Sequence, residues 1–122
     1  MMVNTHRKGL TAENEARERL KSEEWQVYKP PWTQWGQKDV FGLFDLIAVH
    51  IEHGWKLIQV KSYGPNTHGD GLTALKKKLA TFLPYAHGAS IELWIRRKGR
   101  WRGRGKNKHF EPTTWETHLI KE

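Results

Sequence analysis

Residues 43–63 read LFDLIAVHIEHGWKLIQVKSY, and this stretch carries the clearest structural signal in the chain. Two runs within it, residues 43–51 and 55–63, are rich in aliphatic and β-branched residues, and a short glycine-containing segment separates them. That pattern is typical of two antiparallel strands joined by a tight turn. Because both faces of each run are mostly apolar, we expect central strands that are covered on both sides.

The segments before this hairpin predict a helix, a short strand and a loop. Residues 12–24 are rich in helix formers, and Thr11 precedes them as a candidate N-cap, which favours a first helix. Residues 25–29 are typical of a short strand, which the next two residues, both prolines, bring to an end. Residues 30–42 hold two prolines and two glycines with little apolar periodicity, so we expect a long loop.

The segments after the hairpin predict a second layer and further strands. Apolar residues recur at helical spacing across residues 72–86, which indicates a second helix over the sheet. Residues 91–96 alternate as a fourth strand, and a last strand is expected around residues 113–120. The order α-β-β-β-α-β with a final strand predicts one α/β domain over residues 1–122, with a central sheet covered by helices.

The charge of the chain is unevenly distributed. Its 122 residues include 21 Lys plus Arg and 13 Asp plus Glu, but residues 96–108 hold eight basic residues and no acidic one. Such a localised excess indicates a polyanionic partner such as DNA. Interspersed glycines favour a basic arm, a mobile hairpin or loop at about residues 96–109, in which Trp101 either stacks on a base or packs against the fold. The candidate DNA-contacting residues of this arm are Arg96, Arg97, Arg100, Arg102, Arg104, Lys106 and Lys108.

Composition excludes several classes of protein. The chain has no cysteine, which excludes disulfides, thiolate zinc sites and cysteine nucleophiles. Its longest aliphatic stretch, residues 46–49, is far shorter than the roughly 20 apolar residues of a membrane-spanning helix. Residues 1–8 lack the apolar region of a secretory signal. We therefore expect a soluble, intracellular (cytoplasmic) protein without a membrane partner.

Three polar residues interrupt the two apolar strands, namely Asp45, Gln59 and Lys61. Gln59 and Lys61 are two residues apart and so point to the same face of their strand. A turn centred on residue 53 would place Asp45 opposite Lys61 and Ile47 opposite Gln59, so that the polar groups meet at one end of the sheet. On the first helix, Glu13 falls on the inward, apolar side.

Oxygen ligands in this arrangement suit a hard divalent cation such as Mg²⁺. Asp45, Gln59 and Glu13 would surround the metal, and Lys61 would stabilise charge at a scissile phosphate or position the attacking water. A simple cross-strand ion pair between Asp45 and Lys61 explains the pattern equally well. The residues alone leave both interpretations open.

Three short segments resemble the PD-(D/E)XK nuclease superfamily, and most closely the archaeal-type Holliday junction resolvases. They are residues 8–13 (KGLTAE), 44–48 (FDLIA) and 58–62 (IQVKS), and the similarity covers residues 7–97. The resemblance implies a restriction endonuclease-like core, with a mixed sheet flanked by helices. It also implies a homodimeric endonuclease that depends on Mg²⁺, with Mn²⁺ as a substitute, and cuts four-way DNA junctions at symmetric positions.

The resemblance also assigns roles to individual residues. Glu13 and Asp45 would be acidic site residues and Lys61 the catalytic lysine, while Arg7 and Lys8 would contact backbone phosphate. Two family features differ in this chain. Gln59 stands where the family usually has Glu, so the second ligand lacks a negative charge, and Phe44 stands where the family has Pro. Related nucleases often place a catalytic hydroxyl in the loop after the first strand, where Thr33 is the nearest candidate.

Two other functions are compatible with the same residues. The chain could be a non-catalytic DNA-binding module on a nuclease scaffold, with Gln59 marking a site that has lost its metal. It could also be another nuclease of the superfamily that acts on ends, flaps or mismatches, because the core motif determines chemistry and not substrate shape.

Overall fold

The computed structural model describes residues 5–30, 32–33, 36–37, 39–63 and 71–121, and their side chains in 11–30, 39–63 and 71–121. Three α-helices and nine strands lie within these ranges. In chain order they are α1 (Thr5–Ser22), β1 (Gln26–Tyr28), β2 (Trp32–Thr33), β3 (Gly36–Gln37), β4 (Leu46–His50), β5 (Gly54–Tyr63), α2 (Leu72–Ala80), α3 (Leu83–Ala86), β6 (Ser90–Arg97), β7 (Arg100–Arg102), β8 (His109–Glu111) and β9 (Thr114–Leu119). None of these helices is long and apolar enough to cross a membrane.

The main sheet has five strands in the order β1-β4-β5-β6-β9. Neighbours β5 and β6 are parallel and the other pairs are antiparallel, so the sheet is mixed. Helix α1 packs on one face through Ala12, Ala16 and Leu20. Residues of α2 and α3, including the buried Leu79, pack on the other. The prediction of an α/β fold with a central sheet covered on both sides is therefore confirmed.

The predicted pairing within the central hairpin is wrong by two residues. Leu46 pairs with Ile58 and Ile47 with Leu57, so Asp45 does not face Lys61 and Ile47 does not face Gln59. The turn is centred one residue earlier than expected, because the left-handed backbone of Gly54, with a φ of 75°, closes it. A shift of two keeps the alternation of side chains, so Gln59 and Lys61 still share one face. It is the face that α2 and α3 cover, because the partners of these two residues, Leu93 and Ile95, pack on that side.

Both predicted helices differ from the observed ones. Helix α1 begins at Thr5, which places Thr11 inside the helix, so its predicted role as the N-cap is wrong. The second helix divides into α2 and α3. Pro84 lies in the first turn of α3, where its missing N–H is tolerated, but it could not donate within a continuous helix.

One segment predicted as a loop contains a hairpin, and the basic arm, predicted as a hairpin or loop, is a hairpin. Strands β2 and β3 pair within the predicted loop of residues 30–42. The basic arm folds into the hairpin β7–β8, whose tip is a short 3-10 helix at Gly105–Asn107. The expected last strand is confirmed as β9, which pairs antiparallel with β6.

Candidate active site

Strand direction places the predicted site residues at one end of the sheet. The parallel strands β5 and β6 end there, and the antiparallel strand β4 begins there. Asp45 directly precedes β4, next to the pair of Leu46 and Ile58. The alternation of side chains breaks at Asp45, because Phe44 packs under α2 and α3 whereas Leu46 packs under α1. Lys61 lies two residues further along β5, beside Ile95 of β6. The sheet therefore brings Asp45, Gln59 and Lys61 to a common end.

Hydrogen bonds to β5 hold Asp45 in place. Its backbone N–H donates to the carbonyl oxygen of Ile58 over 2.8 Å. Its Oδ2 atom accepts a hydrogen bond from the backbone N–H of Val60 over 2.7 Å. The Asp45 side chain thus accepts a hydrogen bond from β5 that a backbone carbonyl of β4 would accept if that strand continued. The residue is buried.

A second carboxyl group lies beside Asp45, and sequence reasoning missed it. Val40 and Phe44 form an isolated antiparallel bridge around a tight turn, in which Gly42 has a φ of 68°. The next pair along this bridge is Asp39 and Asp45, and their side chains are hydrogen-bonded. The signal was present as two apolar residues flanking a three-residue segment with a central glycine, which is a short-hairpin pattern.

Glu13 approaches the same region from α1. It is buried, and its Oε2 atom has no hydrogen-bond partner among the described residues. The Nζ atom of Lys29, which follows β1, lies 3.6 Å from Oε2 and donates to Asn14 over 2.9 Å. Nothing in the sequence singled out Lys29, because its proximity to Glu13 arises only when β1 packs beside α1.

The environment of Asp45 disfavours its negative charge. The pKa of this carboxyl is raised from 3.8 to about 8, chiefly by burial. The negative charges of Glu13 and Asp39 contribute to the rise, and the Val60 hydrogen bond opposes it. A buried carboxyl with two acidic neighbours is unfavourable unless a proton or a cation neutralises it. The site therefore favours binding of a positively charged species.

The residues present fit Mg²⁺ in their chemistry. Two oxygen atoms, Oε2 of Glu13 and Oγ of Ser62, are buried without a hydrogen-bond partner among the described residues, and they belong to α1 and β5, which pack together. Mg²⁺ takes oxygen ligands, usually one or two carboxylates, and keeps several waters. Within the described ranges, no group of three or more His, Cys, Asp or Glu forms a ready-made metal cage. Glu13 and Asp45 would therefore be the carboxylate ligands. The predicted neutral ligand, Gln59, pairs with Leu93, which packs under α2 and α3, so its side chain lies on the opposite face of the sheet from α1. The structure therefore does not bring Gln59 and Glu13 together on one face.

Lys61 is exposed, whereas Gln59 is partly buried. Among the ion pairs of the described residues, none joins Asp45 to Lys61. The alternative interpretation of a structural cross-strand ion pair is therefore wrong in this geometry. The ammonium group of Lys61 is accessible to a ligand that reaches this end of the sheet.

The interpretation of the basic arm as eight uncompensated charges is wrong in part. Arg96 forms a two-point contact with Glu15 of α1, at 2.7 and 3.0 Å. Arg97 pairs with Glu116 of β9 over 2.9 Å. Arg100 and Arg102 lie 3.8 and 2.9 Å from Glu111. These acids come from distant parts of the chain or from the far strand of the hairpin, so a local charge count does not include them.

The remaining basic side chains of the arm are exposed and have no acidic partner among the described residues. They are Lys98, Arg104, Lys106 and Lys108. Three predicted residues have only their backbone described. Arg7 and Lys8, the predicted phosphate contacts, fall on α1, and Thr33, the candidate catalytic hydroxyl, falls on β2.

No family model, curated protein or solved structure matches this chain. The candidate active site is therefore defined by its own geometry. That geometry combines buried acids on α1 and before β4, a neutral oxygen ligand on β5, and an exposed lysine two residues further on. Buried carboxylates that would bind a divalent cation, and a lysine at the same end of the sheet, are the groups that metal-assisted hydrolysis of a phosphodiester uses.

Proposed function

We propose that the chain is a Mg²⁺-dependent DNA endonuclease that resolves four-way junctions by paired symmetric cuts. The observation that carries the proposal is the Asp45 carboxyl, buried beside Glu13 and hydrogen-bonded to the strand that bears Gln59 and Lys61. The resemblance of residues 8–13, 44–48 and 58–62 to the PD-(D/E)XK nucleases gives the same assignment. It also favours a restriction endonuclease-like core.

Each residue then has a defined task. Glu13 and Asp45 would hold the cation, and Gln59 would contribute its amide oxygen from the opposite face of β5. A bound Mg²⁺ would supply Lewis-acid chemistry, which would polarise the scissile phosphate and lower the pKa of an attacking water. Lys61, exposed at the same end of the sheet, stabilises the charge that develops on the phosphate oxygens or orients the water.

The burial of the acids supports this division of tasks. A proton and a metal ion compete for the Asp45 carboxyl, whose pKa is raised to about 8.

The exposed cations of the basic arm lie on the segment that directly follows β6, so they lie near this end of the sheet. They attract the DNA backbone without taking part in the chemistry.

Symmetric cutting requires two sites, so the proposal includes a homodimer that acts in the cytoplasm. A two-fold assembly presents two equivalent sites to the two strands that must be cut. Light scattering measures the oligomeric state of the protein, both free and bound to junction DNA. A protein that is monomeric in both would contradict paired cutting by one complex.

The direct test compares substrates. A labelled four-way junction, a flap and a linear duplex of matched sequence are incubated with Mg²⁺, Mn²⁺ or EDTA, and the cuts are mapped. We expect paired, symmetric cuts in the junction with either metal and none in EDTA. Preferential cutting of the flap or of ends would instead identify a different nuclease of the same chemistry, and the absence of any metal-dependent cut would contradict the proposal.

One observation favours a second candidate, a DNA-binding module without catalysis. Gln59 carries no charge, so the site has one fewer negative ligand than the family that it resembles. That candidate predicts tight junction binding in EDTA, no cleavage of any substrate, and an Asp45→Ala variant that binds as the parent does.

A further inference from the structure

The β7–β8 hairpin carries a pair of aromatic rings on its surface. Trp101 of β7 and Phe110 of β8 are paired across the hairpin, with ring centroids 5.4 Å apart. Their exposed fractions are 62% and 51%, and neither belongs to the two hydrophobic clusters of the domain. An exposed aromatic pair that contributes nothing to the core points to a binding role.

The backbone of the hairpin is shaped to hold this pair. A Cβ atom on Gly99 would lie 2.5 Å from the carbonyl oxygen of Glu111 and 2.8 Å from the backbone nitrogen of Thr113, so only glycine allows the backbone of the two strands to approach this closely. Gly103 has a φ of 83° and its added Cβ would clash with the carbonyl oxygen of Asn107. Glycine at both positions therefore lets the hairpin close and keeps the rings side by side.

The hairpin also carries exposed cations. The Nζ atom of Lys108 lies over a Trp101 ring, 5.1 Å from its centroid, in a cation–π contact. Arg104 and Lys106, at the tip, are exposed and have no acidic partner among the described residues. An exposed tryptophan ring with exposed lysine and arginine side chains on the same hairpin is complementary to a base and its flanking phosphates.

The hairpin also projects from the end of the sheet that carries the candidate active site. Its first strand follows β6, and Lys98 donates its backbone N–H to the carbonyl oxygen of Tyr63 over 3.1 Å. Tyr63 is the last residue of β5 and lies two positions after Lys61. A ligand bound by the hairpin would therefore lie at the end of the sheet that carries Lys61.

We propose that the β7–β8 hairpin binds a single-stranded segment of DNA, with Trp101 stacked on an unpaired base and Arg104, Lys106 and Lys108 along the phosphates. In a duplex the faces of the bases are covered by their neighbours, whereas an unpaired base offers a face to an aromatic ring. The inference rests on the proposed function in one respect: the bound strand would be one that flanks the cleavage site. It gives the enzyme a means of holding a strand whose bases unpair at the branch point of the junction.

The test measures binding in EDTA, so that no cleavage is needed. Labelled single-stranded DNA and a duplex of the same length are titrated with the wild type, Trp101→Leu and Trp101→Phe. Leu keeps an apolar contact with Phe110 but removes the stacking face, and Phe retains both. We expect Trp101→Leu to lose about tenfold in affinity for the single strand and little for the duplex, and Trp101→Phe to lose much less.

Trp55→Ala is the matched control, because Trp55 is exposed to a similar degree, 55%, at the opposite end of the sheet. It should bind as the wild type does. Equal losses on duplex and single strand in Trp101→Leu, or no loss at all, would overturn the proposal. So would tight capture of the duplex by the wild type with no affinity for the single strand. Because these titrations contain no metal, a failure of cleavage with intact single-strand binding would contradict only the proposed function.

Discussion

The backbone N–H of Val60 donates to Oδ2 of Asp45 over 2.7 Å. The acid is therefore held by the residue that separates Gln59 from Lys61 in β5. The anchor holds the carboxyl in a buried position beside the acids Glu13 and Asp39. A neutral amide could accept the same hydrogen bond without the cost of the charge. The stability of the metal-free protein and its affinity for a cation therefore depend on Asp45 in opposite directions.

The first prediction concerns the stability of the metal-free protein. The pKa of Asp45 is 3.8 when unperturbed and about 8 in the fold, so between these values the folded chain holds a proton that the unfolded chain has released. This group therefore stabilises the fold at acidic pH, and its contribution falls by up to about 1.4 kcal/mol per pH unit as the pH rises to about 8.

Asp45→Asn should remove this pH dependence and raise the free energy of unfolding in EDTA near pH 8. Urea unfolding at several pH values measures both effects. The control is Glu52→Gln, which removes an exposed carboxylate from the β4–β5 turn at the other end of the sheet. An Asp45→Asn variant that is less stable than the wild type at pH 8 would contradict a buried, unfavourable charge.

The second prediction concerns metal binding. Mg²⁺ must displace the proton of Asp45, so its apparent affinity should rise by up to about tenfold per pH unit until the pH passes about 8. Calorimetric titration across this range measures the affinity and the number of protons released. Asp45→Asn should bind weakly at every pH, and Glu52→Gln should match the wild type. An affinity that is independent of pH would show that Asp45 is not a ligand.

The third prediction concerns Asp39. Its negative charge and its hydrogen bond both raise the pKa of Asp45, so Asp39→Asn should lower that pKa. The pH at which Mg²⁺ affinity levels off should move to a lower value. The same calorimetric series on the variant checks this shift. If the profile is unchanged while the fold is intact, the two carboxyl groups do not interact in solution.

The fourth prediction concerns Gln59. Replacing the neutral amide by a carboxylate adds a charge next to the cation, so Gln59→Glu should bind Mg²⁺ more tightly and keep or raise the cleavage rate. Titration and cleavage are measured on one preparation. Cleavage that appears only in the variant would show that the wild type has lost activity and would favour the DNA-binding module.

The fifth prediction separates two groups of basic residues. Arg104 and Lys106 are exposed, so replacing both with Ala should weaken DNA binding and reduce the slope of log affinity against log salt by about one per residue. Arg96 is partly buried and held by Glu15, so Arg96→Ala should chiefly lower the stability of the fold. Salt titrations and urea unfolding distinguish the two. Equal salt slopes for the wild type and the double variant would contradict a role in phosphate contact.

Much of the fold follows from local patterns. Alternation and apolar runs predicted the central hairpin, and the spacing of Gln59 and Lys61 placed both on one face, even though the pairing was wrong by two residues. The missed features depend on contacts between distant segments. Glu15 and Arg96 are 81 residues apart, and Lys29 meets Glu13 only through the packing of β1 and α1. Periodicity carries no information about such pairs, because it describes one segment at a time.

The most direct measurement is the single-turnover cleavage rate of a four-way junction at saturating protein, with Mg²⁺, for the wild type, Lys61→Met, Asp45→Asn and the control Glu52→Gln. We expect both site variants to lose at least about a hundredfold in rate while they still bind the junction, and the control to cut at the wild-type rate. Cleavage by Lys61→Met and Asp45→Asn at the wild-type rate would contradict the assignment of this site as the catalytic centre.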